Sequence, residues 1–169
     1  MYSKRVQKGN DIMSMRIYFD LDGTVYDLYN VPNWLEILRN ENPDVYTMGK
    51  KLFSDELYKV AATLMRYGVK FGVITWGSMV ASPEFEVESE NAKRQWVNEN
   101  LPFVETFVYQ QYGTPKQQAI KNRTKNDILI DDNSEVLKVW INNKTRTGYQ
   151  VTKENNVVNI LKEILKQFE

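Results

Sequence analysis

Two aspartates, Asp20 and Asp22, stand two residues apart at the end of the apolar run Ile17-Tyr18-Phe19, within the stretch FDLDGTVYD at residues 19–27. In an extended segment that spacing sends both side chains the same way. Two carboxylates held so close repel, so the pair asks for a metal ion, a shared proton or a basic partner. A magnesium-assisted site is the leading expectation, with Mg2+ as the cofactor. Taken alone, the same residues would also serve as turn formers before Gly23, since Asp-Gly is common turn chemistry.

Three further groups share the chemistry of this pair. Thr75, Trp76 and Gly77 close a second apolar run at 69–75, and Asp131 and Asp132 close another at 128–130. Thr114-Pro115-Lys116-Gln117 reads as a capping box with proline at the first helical position. That places Lys116 in a first turn, where free amides and the helix dipole favour anions. Carboxylates for a hard cation, a hydroxyl with the amides near Gly77, and one ammonium group are the parts needed to hold and attack a phosphoryl group. Each has an ordinary reading too. Lys116 could be a solvated surface lysine, with Lys121, Arg123 and Lys125 as competitors. Thr75 could simply close a strand, with Ser78 as its stand-in, and Asp131 or Asp132 could cap a helix starting near Ser134.

The elements that must position these residues follow from periodicity. Short runs rich in β-branched and aromatic residues at 17–19, 69–75, 106–109 and 128–130 read as buried strands, and a last short strand follows the turn at Asn142-Asn143-Lys144, Thr145, Thr147 and Gly148. Between them lie helices. Ser54 is expected to cap one whose apolar face is Leu57, Val60, Ala61, Leu64 and Met65 and whose C′ residue is Gly68. A second is expected at 89–100, ending before Pro102. Val157, Ile160, Leu161, Ile164, Leu165 and Phe168 mark a C-terminal one. Strands alternating with helices predict an α/β fold with a mostly parallel sheet covered on both faces, and ligands beyond the carboxyl ends of its strands. Residues 25–53 break the alternation, apart from a short helix opened by Pro32, Asn33 and Trp34, and read as a small insertion over those strand ends.

Composition bounds the function. The chain has 169 residues, 42% of them hydrophobic, enough for one core with a small appendage. It contains neither histidine nor cysteine, which excludes disulfides, thiolate nucleophiles, Ser-His-Asp triads and the usual zinc sites. Basic and acidic residues balance at 22 each, which argues against nucleic-acid polymers and membranes as partners and makes any phosphate recognition local. Residues 1–14 read as a flexible leader without the apolar core of a secretory signal, with Met13 and Met15 as alternative starts, and a cytoplasmic location is expected.

D-x-D-G-T, a strand-end Thr, a Lys and a strand-end acidic pair, in that order, resemble the haloacid dehalogenase superfamily of phosphatases. The resemblance covers residues 19–133 and implies a three-layer, Rossmann-like fold with a central, mostly parallel five-stranded sheet and a minimal cap insertion at about 25–53, in a single domain over 15–169. It implies that Asp20 is a nucleophile forming an aspartyl phosphate and that Asp22 is the general acid and then the base. Thr75, Trp76, Gly77 and Lys116 would hold the phosphate. Asp20, the backbone carbonyl of Asp22, and Asp131 or Asp132 would hold magnesium. The segment AKRQWVNENLPF at 92–103 with ILIDDN at 128–133 is similar to the 5′(3′)-deoxyribonucleotidase branch. Two features depart from that branch: the insertion is shorter than its helical cap, and Trp76-Gly77 replaces its small polar pair.

The expected activity is therefore hydrolysis of a phosphomonoester, a small phosphorylated metabolite such as a deoxynucleoside monophosphate, by a monomer or homodimer. Tyr26, Tyr29, Trp34, Tyr46 and Trp76 are candidates to stack on a base, against the alternative that they pack the insertion's own core; Trp96 and Trp140 read as structural. A minimal cap would also admit a sugar phosphate, a polynucleotide end or a phosphoprotein. Phosphoryl transfer to an alcohol and a non-catalytic phosphate-binding module are the remaining alternatives.

Overall fold

The structure, a computed structural model, describes residues 15–141 and 147–169. The expected leader at 1–14 and the expected turn at Asn142, Asn143, Lys144 and Thr145 lie outside the described residues, while Thr147 and Gly148, also expected in that turn, open the last strand.

Among the described residues, five strands form one all-parallel sheet: β1 (Arg16–Phe19), β2 (Lys70–Trp76), β3 (Thr106–Gln110), β4 (Asp127–Asp131) and β5 (Thr147–Gln150). The helices are α1 (Trp34–Arg39), α2 (Glu56–Arg66), α3 (Pro83–Asn100), α4 (Ser134–Ile141) and α5 (Val157–Leu165), with 3-10 turns at Pro43–Tyr46 and Lys116–Ala119. Alternation along the strands sorts the core. Ile17, Phe19, Phe71, Val73, Ile128 and Ile130 face the larger cluster with Leu57, Leu64, Trp96, Val97, Ile160 and Ile164, while Tyr18, Ile74 and Leu129 face the smaller one with Ile120, Val136, Leu137 and Trp140. Helices thus cover both faces, the arrangement of a Rossmann-like α/β fold.

The strand order is β3-β2-β1-β4-β5. The chain moves outward from β1 to β3, then crosses back to β4, so the crevice beyond the carboxyl ends of β1 and β4 is the topological switch point, where open α/β sheets receive ligands.

Several boundaries differ from the sequence reading. Ser54 does not cap α2 through its hydroxyl; its carbonyl accepts the Leu57 amide at 3.0 Å and Asp55 stands at the cap position in helical conformation. The other end matches: Gly68 takes φ 83°, its amide reaches the Met65 carbonyl at 2.9 Å, and Val69 reaches Leu64 at 3.2 Å. Helix α3 begins six residues before the expected 89, because Ser82 accepts the Phe85 amide at 3.2 Å and Pro83 occupies the first turn. The capping box at Thr114 does not form. Pro115 precedes a single 3-10 turn with no side-chain cap, too short to carry a helix dipole. The insertion is closed at its base by backbone bonds from Asp27 to Lys50 and from Leu52 to Val25, each 2.9 Å. No helix among the described residues is long and apolar enough to cross a membrane.

Candidate functional site

The site grows out of the turn after β1. Asp20 extends the ladder one residue past the strand, its amide donating to the Ile130 carbonyl at 2.8 Å. The chain then turns back on itself, with the amides of Thr24, Val25 and Tyr26 converging on the Leu21 carbonyl at 3.3, 3.1 and 2.9 Å. Gly23 is required twice over: its φ of 81° is left-handed, and a Cβ there would lie 2.5 Å from an Asp132 carboxylate oxygen and 2.6 Å from the Tyr29 ring. Thr24 is fully buried and its hydroxyl accepts the Asp132 amide at 3.1 Å. The D-G-T run therefore does more than present carboxylates; it ties the β1 turn to the end of β4.

Asp131 and Asp132 come from that end. Neither caps α4: Asn133 does, accepting the Glu135 and Val136 amides at 3.0 and 3.4 Å, while Asp131 accepts the Asn133 amide at 2.9 Å. One oxygen each from Asp20, Asp131 and Asp132 can be chosen so that all lie within 4.8 Å of one another. The Asp22 side chain is outside that trio, although it lines the same cavity. Burial, reinforced by the Asp20 charge, pushes the Asp131 carboxyl up to about 6 and that of Asp132 up to about 7. Burial likewise raises Asp22 above the usual carboxylate range, opposed by a neighbouring ammonium.

Two buried lysines answer these charges. Lys116 is only 2% exposed, and its Nζ bonds both Asp20 Oδ1 and Asp131 Oδ2, the latter at 2.6 Å. Burial disfavours its ammonium, yet the two carboxylates outweigh that and hold its pKa above the ordinary lysine value. The competitors Lys121, Arg123 and Lys125 are exposed at the surface. The second lysine, Lys93 on α3, was not among the sequence candidates. Its Nζ donates to Asp22 Oδ2 at 2.5 Å, to the Trp76 carbonyl at 2.7 Å and to Thr75 Oγ1 at 3.2 Å, and it lies 4.5 Å from the Tyr46 ring centre. A signal for it existed: Lys93 falls on the buried stripe of α3 with Phe85, Ser89, Trp96 and Val97, where a lysine needs a partner.

At the end of β2, Thr75 is fully buried and faces Lys93. The Gly77 amide is not available to a ligand, contrary to the sequence reading, because it bonds the Gln110 carbonyl at 2.7 Å. A Cβ at Gly77 would come against the Glu86 carboxylate and the Tyr109 hydroxyl, which would have to move aside. Ser78 is turned to the Val80 carbonyl at 3.2 Å.

A cavity of about 510 Å³ opens above the carboxylates. Its lining joins Asp20, Asp22, Lys116, Asp131 and Asp132 to Tyr29, Trp34, Leu38, Arg39, Trp76 and Tyr112, among others. The aromatic candidates divide. Tyr29 and Trp34 meet edge-on at 5.3 Å and Trp76 packs on Tyr112 at 5.2 Å, all four on the wall. Tyr46 also reaches the wall, whereas Tyr26 is fixed in the base of the insertion, donating to the Val45 carbonyl at 2.5 Å, accepting from the Gly49 amide at 2.6 Å and packing on Trp96. Trp96 and Trp140 are both buried in the core.

Compared with protein-family models and with curated proteins, the chain matches neither a family model nor a curated relative.

Proposed function

We propose that the chain is a metal-dependent phosphomonoesterase of the haloacid dehalogenase type, acting through an aspartyl phosphate on a small substrate, with a deoxynucleoside monophosphate as the best-fitting class. The observation that carries this reading is the convergence of four carboxylates and two buried lysines at the switch point, under a cavity walled by aromatic rings.

The donor set fits a hard divalent cation. Asp20, Asp131 and Asp132 would hold it, with the Asp22 carbonyl as the resemblance implies, and all-oxygen ligation suits magnesium. Three carboxylates cluster around the single Lys116 ammonium, which leaves this part of the site suited to a cation. When bound, it screens the repulsion between the Asp20 carboxylate and a phosphate dianion.

In this reading the Asp20 carboxylate attacks phosphorus, and the bond to the leaving oxygen breaks as Asp22 supplies that oxygen with a proton. Water then attacks the acyl phosphate while Asp22 takes its proton, breaking the bond to Asp20 and releasing inorganic phosphate. Lys116 and the Thr75 hydroxyl supply donors to the phosphoryl oxygens. The rings of Tyr29, Trp34, Trp76 and Tyr112 line the cavity and would stack on a base, and Arg39 adds a cation to the lining. Walls from the insertion on one side and from residues 76–80 on the other favour a small ester over a polynucleotide end or a phosphoprotein.

Phosphate release from p-nitrophenyl phosphate and from deoxynucleoside, ribonucleoside and sugar monophosphates, with magnesium chloride or with EDTA, tests the reading. Release that needs the metal and vanishes in Asp20→Asn is expected. A wild-type protein silent across the whole panel of substrates and divalent ions would favour a phosphate-binding module.

A further inference from the structure

Lys93 is a buried cation that the reaction as written does not use. It enters from α3, a different element from every other charged group of the site, and is 1% exposed. All three of its N–H donors are engaged: on Asp22 Oδ2, on Thr75 Oγ1 and on the Trp76 carbonyl. The helix that carries it is anchored in the core, with Trp96 and Val97 buried one turn further on. The ammonium therefore links the turn after β1 to the end of β2 at one point.

The consequence for Asp22 is an asymmetry between its two oxygens. Oδ2 is taken by Lys93, whereas Oδ1 is buried without a hydrogen-bond partner in a residue that lines the cavity. An unpartnered buried carboxylate oxygen is costly, and such groups concentrate where a substrate supplies the missing partner. Thr75 is polarised in the same way. Its oxygen accepts from Lys93, so its hydrogen is directed away from the ammonium and stays free to donate.

We propose that Lys93 is the positioning residue for the general acid: by holding Asp22 Oδ2 it presents Oδ1 to the bridging oxygen of the phosphomonoester. This inference rests on the proposed phosphatase activity. Lys93 touches neither phosphorus nor the leaving group and acts through Asp22. A misplaced acid matters most when the leaving oxygen is a poor leaving group, and little when the departing anion is already stable. A purely structural lysine would instead lower every rate by a common factor.

The test compares kcat/KM for p-nitrophenyl phosphate, a good leaving group, with that for phenyl phosphate, a poor one of nearly the same shape. Wild type, Lys93→Met and Lys93→Gln are measured as full-length chains in magnesium chloride. The ratio of the two constants is internal to each preparation, so a partly unfolded variant changes both alike and leaves it intact. We expect the nitrophenyl-to-phenyl ratio to rise at least about tenfold in both variants, within the range that general acid catalysis supplies. A smaller rise overturns the inference while leaving the phosphatase reading in place. A wild type inert toward both esters overturns the phosphatase reading itself, and this inference with it.

Discussion

The two buried lysines mark two sides of one site that are built differently. On the β1–β4 side, Lys116 bridges Asp20 and Asp131, and Asp132 stands beside them, so three carboxylates share one ammonium. On the β2–α3 side, Lys93 meets a single carboxylate, Asp22, and satisfies its remaining donors on a hydroxyl and a carbonyl. The first side carries surplus negative charge and is suited to take up a cation; the second is balanced within itself and is suited to hold a geometry. Burial is similar on both, so charge count rather than desolvation separates them.

The largest effect expected from this contrast is on turnover. Asp20→Asn should lower phosphate release by at least about 10,000-fold, as loss of a nucleophile does, without lowering the melting temperature, because it removes charge from the crowded side. Release that survives the substitution breaks the assignment of the nucleophile.

Stability should divide the two sides next. Lys116→Met strands Asp20 and Asp131, Lys93→Met strands Asp22, and each should cost about 3–5 kcal/mol in denaturant titrations. Excess magnesium chloride should recover much of the loss in Lys116→Met, where the exposed charges belong to the carboxylate trio, and little in Lys93→Met. Equal recovery in both would erase the distinction.

Proton linkage gives a third, smaller effect. Folded-state carboxyls raised to about 6 at Asp131 and about 7 at Asp132 bind protons that the unfolded chain has already lost. Their contribution to the stability of the metal-free protein is thus fully present below about pH 4 and disappears as pH rises through 6 and 7. A cation competes for the same oxygens. The rise in melting temperature on adding magnesium should therefore be larger at pH 8 than at pH 5, and a shift independent of pH would argue against carboxylate ligation.

The smallest effect compares the cavity wall with the base of the insertion. Trp34→Ala should raise KM for a deoxynucleoside monophosphate about tenfold with little change in kcat, the size of one lost stacking contact. Tyr26→Phe should leave KM alone and cost about 1–3 kcal/mol of stability, since it strips partners from the Val45 carbonyl and the Gly49 amide. A KM effect from Tyr26→Phe instead would place the wrong ring on the wall.

Much of this was legible in sequence because it is local. The unbroken apolar runs Ile17-Tyr18-Phe19 and Ile128-Leu129-Ile130 mark strands with two buried faces, and Gly68 marks the end of α2 through its left-handed conformation. The parts that misled are those where a local signal met a competing partner. Pro115 and Gln117 suggested a helix, but the chain there makes one 3-10 turn with Lys116 drawn to two carboxylates. Gly77 suggested free amides, but the neighbouring strand claims its N–H.

By itself the amino-acid order determined the strands, most of the helices and the strand ends at which Asp20, Thr75 and Asp131 stand, because backbone periodicity and turn chemistry act over a few residues. Which lysine meets which carboxylate was decided only by the tertiary fold. Lys93 lies 71 residues from Asp22 and Lys116 lies 96 from Asp20, and no local pattern reports an electrostatic contact across that distance. A buried charge is tolerated only where the packed chain brings its counterion, so those pairings exist as a property of the assembled sheet and its helices.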